Sequence, residues 1–221
     1  MKEWADAKAL IGGTRVTLGP QASQQWLRQP DHLAMVLSRY RAAAALIGDA
    51  ERVVELGCGE GIGAGILARG RTSYAGYDAD VAALQHAVTQ HGSSTVGFQL
   101  VDLVTLYDAD VQRGADAVVS LDVIEHIPQD EEALFMRGAV GMVSSSQLGV
   151  CVIGTPSANA YHLASPQSKA GHVNNFTPER LKALMQQHFH RVQLMGMQDT
   201  AVHFGHPGMM HYLLAVGIGP R

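Results

Sequence analysis

The chain has 221 residues, a formal net charge of −4 and an average apolar content, so it is long enough for one ordinary core and is not expected to be disordered. It has no apolar run of about 18 residues and no basic block, and its opening MKEWADAKAL lacks a charged-then-apolar leader. A membrane span, secretion and nonspecific nucleic-acid binding are therefore not expected, and a cytoplasmic protein is. The two cysteines, Cys58 and Cys151, lie in or beside apolar segments and read as buried reduced thiols.

In chain order, residues 1–47 read as a helical extension. Leu33, Val36, Leu37, Tyr40 and Ala44 recur at helical spacing after a plausible cap, Asp31. Trp26, Arg39 and Tyr40 are candidate contacts if this extension forms a lid over a ligand. Residues 48–221 form the main domain. Its opening stretch, RVVELGCGEGIGAGILA over 52–68, predicts strand, tight turn and helix. Glycines in such a turn allow positive φ and let a ligand approach backbone N–H groups.

The register of those glycines separates two ligand classes. A dinucleotide fingerprint needs GxGxxG directly after the strand, and Ile62 stands where its third glycine belongs. A frame on Gly59, Gly61 and Ala64 fits only by starting two residues late. Thr72–Tyr77 predicts a second strand leading to Asp78, an acidic residue placed to accept two ribose hydroxyls, with Asp80 as cap of a helix over 81–88. Val96–Leu100 is a third strand followed by Asp102 and Leu103. Ala115–Ser120 is a fourth, entering LDVIEHIPQDEE, and a helix over 129–141 leads to a fifth strand over 149–154.

A long loop over 157–175 follows, then a helix from Thr177 to about His188. VQLMGMQ and MMHYLLAVG are the last two strands. Strands alternating with helices over 52–154 predict a parallel, doubly wound sheet with ligands at the strand C-terminal ends.

The ExGxGxG of Glu55, Gly57, Gly59 and Gly61 resembles motif I of the class I S-adenosylmethionine-dependent methyltransferases. The spacing of Asp78, Asp102 and the LDVIEH segment is similar to the later motifs of that family. The resemblance implies a Rossmann-like α/β fold of seven mostly parallel strands, with an antiparallel last strand and helices on both faces. It implies that S-adenosylmethionine is bound by Glu55, Gly57, Gly59, Gly61, Asp78, Asp102, Leu103 and Leu121. Glu55 would act at the amino-acid end, Asp78 on the ribose and Asp102 on the adenine.

Asp122, Glu125 and His126 stand at i, i+3 and i+4, which brings them to one face if the turn is helical. With His172 they make a carboxylate and imidazole set suited to Mg²⁺, Mn²⁺ or Fe²⁺. This pattern resembles small-RNA 2′-O-methyltransferases and ubiquinone-pathway O-methyltransferases, although Asp122 replaces the usual glutamate and has a shorter reach. Without a metal, His126 or His172 would be the catalytic base, or His126 would only bond to backbone. The flanks resemble bacterial small-molecule methyltransferases of surface-glycan or secondary-metabolite pathways.

The expected activity is therefore methyl transfer to a small polar molecule, most simply to its oxygen. The alternatives are an RNA 2′-O-methyltransferase, which should show a Lys/Arg stripe, an NAD-dependent oxidoreductase, and a noncatalytic cofactor-binding protein.

Overall fold

In a computed structural model, residues 15–221 are described together with Trp4, Asp6 and Ala9. The other positions of the expected extension lie outside the described residues. Its described part forms α1 (Pro20–Arg28) and α2 (Pro30–Leu46), each opened by a proline whose missing N–H costs a first helical turn nothing. Asp31 lies inside the first turn of α2; the cap position belongs to Gln29, which makes no side-chain capping bond.

The main domain follows as β1 (Arg52–Leu56), α3 (Ala64–Leu67), β2 (Ser73–Asp78), α4 (Val81–His91), β3 (Val96–Leu100), β4 (Ala117–Leu121), α5 (Glu132–Met142) and β5 (Val150–Pro156). Then come α6 (Pro166–Gly171), α7 (Pro178–His188), β6 (Phe189–Gln198), β7 (Ala201–His203) and β8 (Tyr212–Pro220). Short 3-10 turns cover Ile124–His126, Ala158–Leu163 and Pro207–Met209. Asp80 caps α4 by accepting from Ala82 N and Ala83 N, and Thr177 caps α7 by accepting from Arg180 N.

The strands form one eight-stranded sheet in the order β3-β2-β1-β4-β5-β8-β6-β7. Pairing is parallel from β3 to β5 and antiparallel where β8 enters between β5 and β6. Two details depart from the sequence expectation. The helix after the glycine turn is a single turn, and the three-residue β7 adds an eighth strand.

Successive residues of the central strands face opposite sides. Val54 and Val118 join the core beneath α5 and α7, whereas Val53 and Val119 join the core beneath α2 and α3. Both faces are thus covered, which accounts for near-continuous apolar strands in place of alternation. The strand order reverses between β1 and β4, and the crevice outside their C-terminal ends receives the glycine turn on one side and the residues after β4 on the other.

Gly57 sits at that crevice with φ +77°, and an added Cβ would lie 2.2 Å from Val123 Cγ2. Overpacking and left-handed strain act together there. Gly57→Ala is expected to lower unfolding free energy by about 2–4 kcal/mol, read as a lower urea midpoint with an unchanged slope.

Candidate functional site

A cavity of about 950 Å³ opens at the C-terminal edge of the parallel strands, between the α1–α2 hairpin and the segment after β5. Gly57, Cys58, Gly59 and Glu60 from the glycine turn line it, as do Asp78, Asp102, Leu103 and Leu121. Asp78 Oδ2 accepts from Gly59 N at 2.7 Å, and its Oδ1 accepts from Asp80 N at 2.9 Å. Those bonds fix the carboxylate beside the turn and leave each oxygen a further lone pair. Asp102 is exposed at the rim, where its Oδ1 accepts from Val104 N at 3.1 Å, while Leu103 and Leu121 are buried apolar walls.

Glu55 and Gly61, expected with this group, do not line the cavity. Glu55 is 1% exposed. Its Oε1 accepts from the Tyr40 hydroxyl at 2.8 Å and its Oε2 from the Tyr74 hydroxyl. The expected contact of Glu55 with the amino-acid end of a cofactor is thus replaced by an internal clasp between β1, β2 and α2. Gly61 instead packs toward α4, where an added Cβ would lie 2.9 Å from the Ala87 side chain.

Asp122 has also been given another partner. Its φ of +58° turns the chain sharply after β4, and both of its carboxylate oxygens accept from Arg39 Nη1 at 2.9 Å. Arg39 lies over the Tyr212 ring, 4.1 Å from its centroid. Spacing placed Asp122 with the metal set, but it stands outside the cluster formed by Glu125, His126 and His172. In that cluster each residue offers one ligand atom, all lying within 4.8 Å of one another.

Local bonds explain the meeting of residues 45 or more positions apart. Val173 N and Asn174 N both donate to Glu125 O, at 2.9 and 3.0 Å, and His126 Nδ1 lies 2.9 Å from Gly171 O. The returning loop is thereby pinned against the 3-10 turn, and the two imidazoles meet edge to face at 5.0 Å.

Glu125 is 1% exposed; Oε2 accepts from Thr155 Oγ1 at 2.9 Å, whereas Oε1 has no hydrogen-bond partner among the described residues. Burial, reinforced by the Asp122 charge, holds the Glu125 carboxyl well above the usual carboxylate range. Burial, with the neighbouring His126, pushes the His172 imidazole below its ordinary value, which favours its neutral form.

His211 and Asn175 also line the cavity. His203 and His206 fold back on their own turns, accepting from Gly205 N and Gly208 N. Asn174 is structural, bonded to Glu132 and Arg180. Trp26 is exposed and is not among the lining residues. Two contributors carried no motif signal: Tyr74, which completes the Glu55 clasp, and Glu60, which accepts from Gln21 N and Ala22 N at the start of α1. Arg39 and Tyr40 were visible only as polar and aromatic residues in a segment that would abut the site.

A parallel sheet reversing between β1 and β4, closed by antiparallel strands and bearing an acidic residue after each of β2, β3 and β4, defines the Rossmann-like architecture of class I methyltransferases. The chain belongs to the methyltransferase-domain family, whose model matches residues 31–188, and it is an S-adenosylmethionine-dependent methyltransferase. No curated protein matches it.

Among solved structures, it is similar to a TehB-like methyltransferase from Corynebacterium glutamicum, at 16% identity and TM-score 0.65, covering 91% of this chain and 100% of that one. The N-methyltransferase NodS from Bradyrhizobium japonicum, in complex with S-adenosyl-L-homocysteine, is 17% identical at TM-score 0.63, over 85% of this chain and 88% of that one. The methyltransferase domain of a bacterial Hen1 is 17% identical at TM-score 0.65, over 83% and 99%. At these identities the likeness is one of fold.

Burial pushes the Glu55 carboxyl up to about 7, from 4.5, against the two tyrosine bonds that lower it. A folded-state value raised in this way favours the protonated native form. Its contribution is complete below pH 4.5 and is lost as pH rises through about 7. Glu55→Gln cannot titrate. The stability of the parent relative to this variant is therefore expected to fall by roughly 3 kcal/mol between pH 4.5 and pH 8, measured by urea unfolding at each pH.

Proposed function

We propose that the protein moves the methyl group of S-adenosylmethionine to an oxygen of a small polar molecule, with residues 1–47 serving as a lid on the methyltransferase domain of residues 48–221. The observation that carries this reading is the division of one cavity. Gly57, Gly59, Asp78, Asp102, Leu103 and Leu121 line one part, and Glu125, His126, His172, Asn175 and His211 line the other. In the first part Asp78 would accept from the ribose hydroxyls, Asp102 would meet the adenine amino group, and Leu103 and Leu121 would pack against the nucleoside. The second part would hold the acceptor.

Methyl transfer is an in-line displacement. A lone pair of the acceptor oxygen forms the new bond to the methyl carbon while the carbon–sulfur bond breaks and its electron pair stays on sulfur. The protein has to align the three atoms and remove one proton. His172, biased toward neutrality, and His126 are the candidate bases.

Glu125, His126 and His172 also fit a divalent ion. One carboxylate and two imidazoles match the donor preference of octahedral Mn²⁺ or Fe²⁺ and admit Mg²⁺, and the unpartnered buried Oε1 of Glu125 is suited to a cation. When bound, such an ion would lower the pKa of an acceptor hydroxyl. Asp122, committed to Arg39, is left out of that donor set.

The charge on the cavity wall favours a small molecule over RNA. Among the described lining residues Arg39 is the single Lys or Arg, and it is paired with Asp122, whereas Glu60, Asp78, Asp102 and Asp199 are acidic. A phosphate chain would meet a wall of like charge. Among the described residues, no helix is long and apolar enough to cross a membrane. A family match beginning at residue 31, inside α2, supports treating that helix as a working part of the enzyme.

The deciding experiment is calorimetry with S-adenosylhomocysteine and NAD side by side, followed by a methyl-transfer screen of sugars, nucleotide sugars and phenols. Binding of the first ligand alone is expected, and NAD binding without it would end the assignment. Asp78→Ala should weaken S-adenosylhomocysteine binding by about 1.5–3 kcal/mol, and an unchanged affinity would remove the ribose role from Asp78. Chelation should abolish turnover and added Mg²⁺ or Mn²⁺ restore it, with S-adenosylhomocysteine affinity unaltered. Turnover indifferent to chelator would leave His126 and His172 as bases alone.

A further inference from the structure

The first turn of a helix presents N–H groups that a capping side chain normally satisfies, and in α1 that side chain comes from elsewhere in the chain. Its cap position is Gly19, which has none, and Pro20 has no N–H. The next two donors, Gln21 N and Ala22 N, bond to Glu60 Oε1 at 2.7 Å and Glu60 Oε2 at 3.1 Å. An added Cβ at Gly19 would lie 2.2 Å from the Glu60 carboxyl carbon, so Glu60 occupies the space a local cap would use.

Glu60 sits in the glycine turn beside Gly59, whose N–H is held by Asp78. The turn thus holds the carboxylate proposed to face the ribose and carries the cap of a helix whose Gln21, Ala22 and Gln25 line the same cavity. The segment entering α1 is tied down next to it, with Thr17 N donating to Gln90 Oε1 at 2.9 Å and His86 Nε2 lying 3.0 Å from Thr17 O.

We infer that Glu60 is a positioning residue that latches α1 over bound cofactor, so that release of the cofactor requires the two bonds between Glu60 and α1 to break. This rests on the cofactor reading above. A separated α1 would lose both first-turn acceptors and the favourable placing of a carboxylate at its N-terminus, which biases the lid toward closure. The same carboxylate, set in the turn under the cofactor, links closure to a correctly formed turn.

The test is the dissociation rate of S-adenosylhomocysteine, followed by displacement of labelled ligand, in the full chain and two variants. Glu60→Ala is expected to speed release by about tenfold or more, with the urea midpoint lowered by the lost cap and the unfolding slope unchanged. The double variant G19D/E60A places a capping carboxylate on α1 itself, in the space vacated by Glu60, and so restores the helix without restoring the bridge. Release should stay fast in it.

Slow release in G19D/E60A would overturn the latch, reducing Glu60 to a helix cap, as would an unchanged rate in E60A. Failure of the unaltered chain to bind S-adenosylhomocysteine would instead remove the cofactor reading on which the latch rests.

Discussion

The buried carboxyl of Glu55 is the constraint around which this end of the molecule is arranged. A carboxyl group at 1% exposure is costly unless each oxygen finds a partner, and here the two partners are hydroxyls from different layers, Tyr74 of β2 and Tyr40 of α2. The bond to Tyr40 fixes the height of α2 over the sheet. Gly63 is pressed into the gap this leaves, since an added Cβ there would lie 2.2 Å from Tyr40 and 2.8 Å from Glu55 Oε1. With α2 seated, Arg39 on the adjoining position reaches Asp122 after β4 and stacks on Tyr212 of β8. The hairpin of α1 and α2 is therefore gripped at β1 by Glu55, at the turn by Glu60 and at β4 by Asp122. Two carboxylates of the cavity wall and one that is buried thus act on the protein's own chain.

That arrangement marks the boundary of what the sequence could reveal. The parallel strands, the order of acidic residues after β2, β3 and β4, and the caps at Asp80 and Thr177 follow from local periodicity and local hydrogen bonding, so they were readable. Glu55 and Asp122 were not, because a strand-end position says where a carboxylate begins and not where it turns. Their partners lie 15 and 83 residues away in a segment without strand or motif signal. Between β3 and β4 the turn residues satisfy one another locally, with Thr105 N and Thr105 Oγ1 both bonding to Asp102 O.

The metal set shows the same limit in three residues. Spacing at i, i+3 and i+4 gathers side chains only if the backbone is helical throughout, and Asp122 is left-handed at φ +58° while the 3-10 turn begins at Ile124. The break sends Asp122 toward α2 and leaves Glu125 and His126 facing the cavity. His172 joins them through backbone bonds to Glu125 O that no side-chain pattern encodes.

The two parts of the cavity rest on different foundations, and this bears on how one fold can persist at identities near 17%. The strands that lead to the glycine turn, Asp78 and Leu121 contribute to the shared core on both faces, so displacing them would disturb packing throughout the sheet. The part lined by Glu125, His126 and His172 is built from short turns and the six-residue α6, joined to the rest at few points: Ser157 against Phe176, Val173 and Asn174 against Glu125, and Gly171 against His126. Residues between those anchors can change with little effect on the core. The side chains of this part of the cavity can therefore change while the strand-end carboxylates and the glycine turn remain in place.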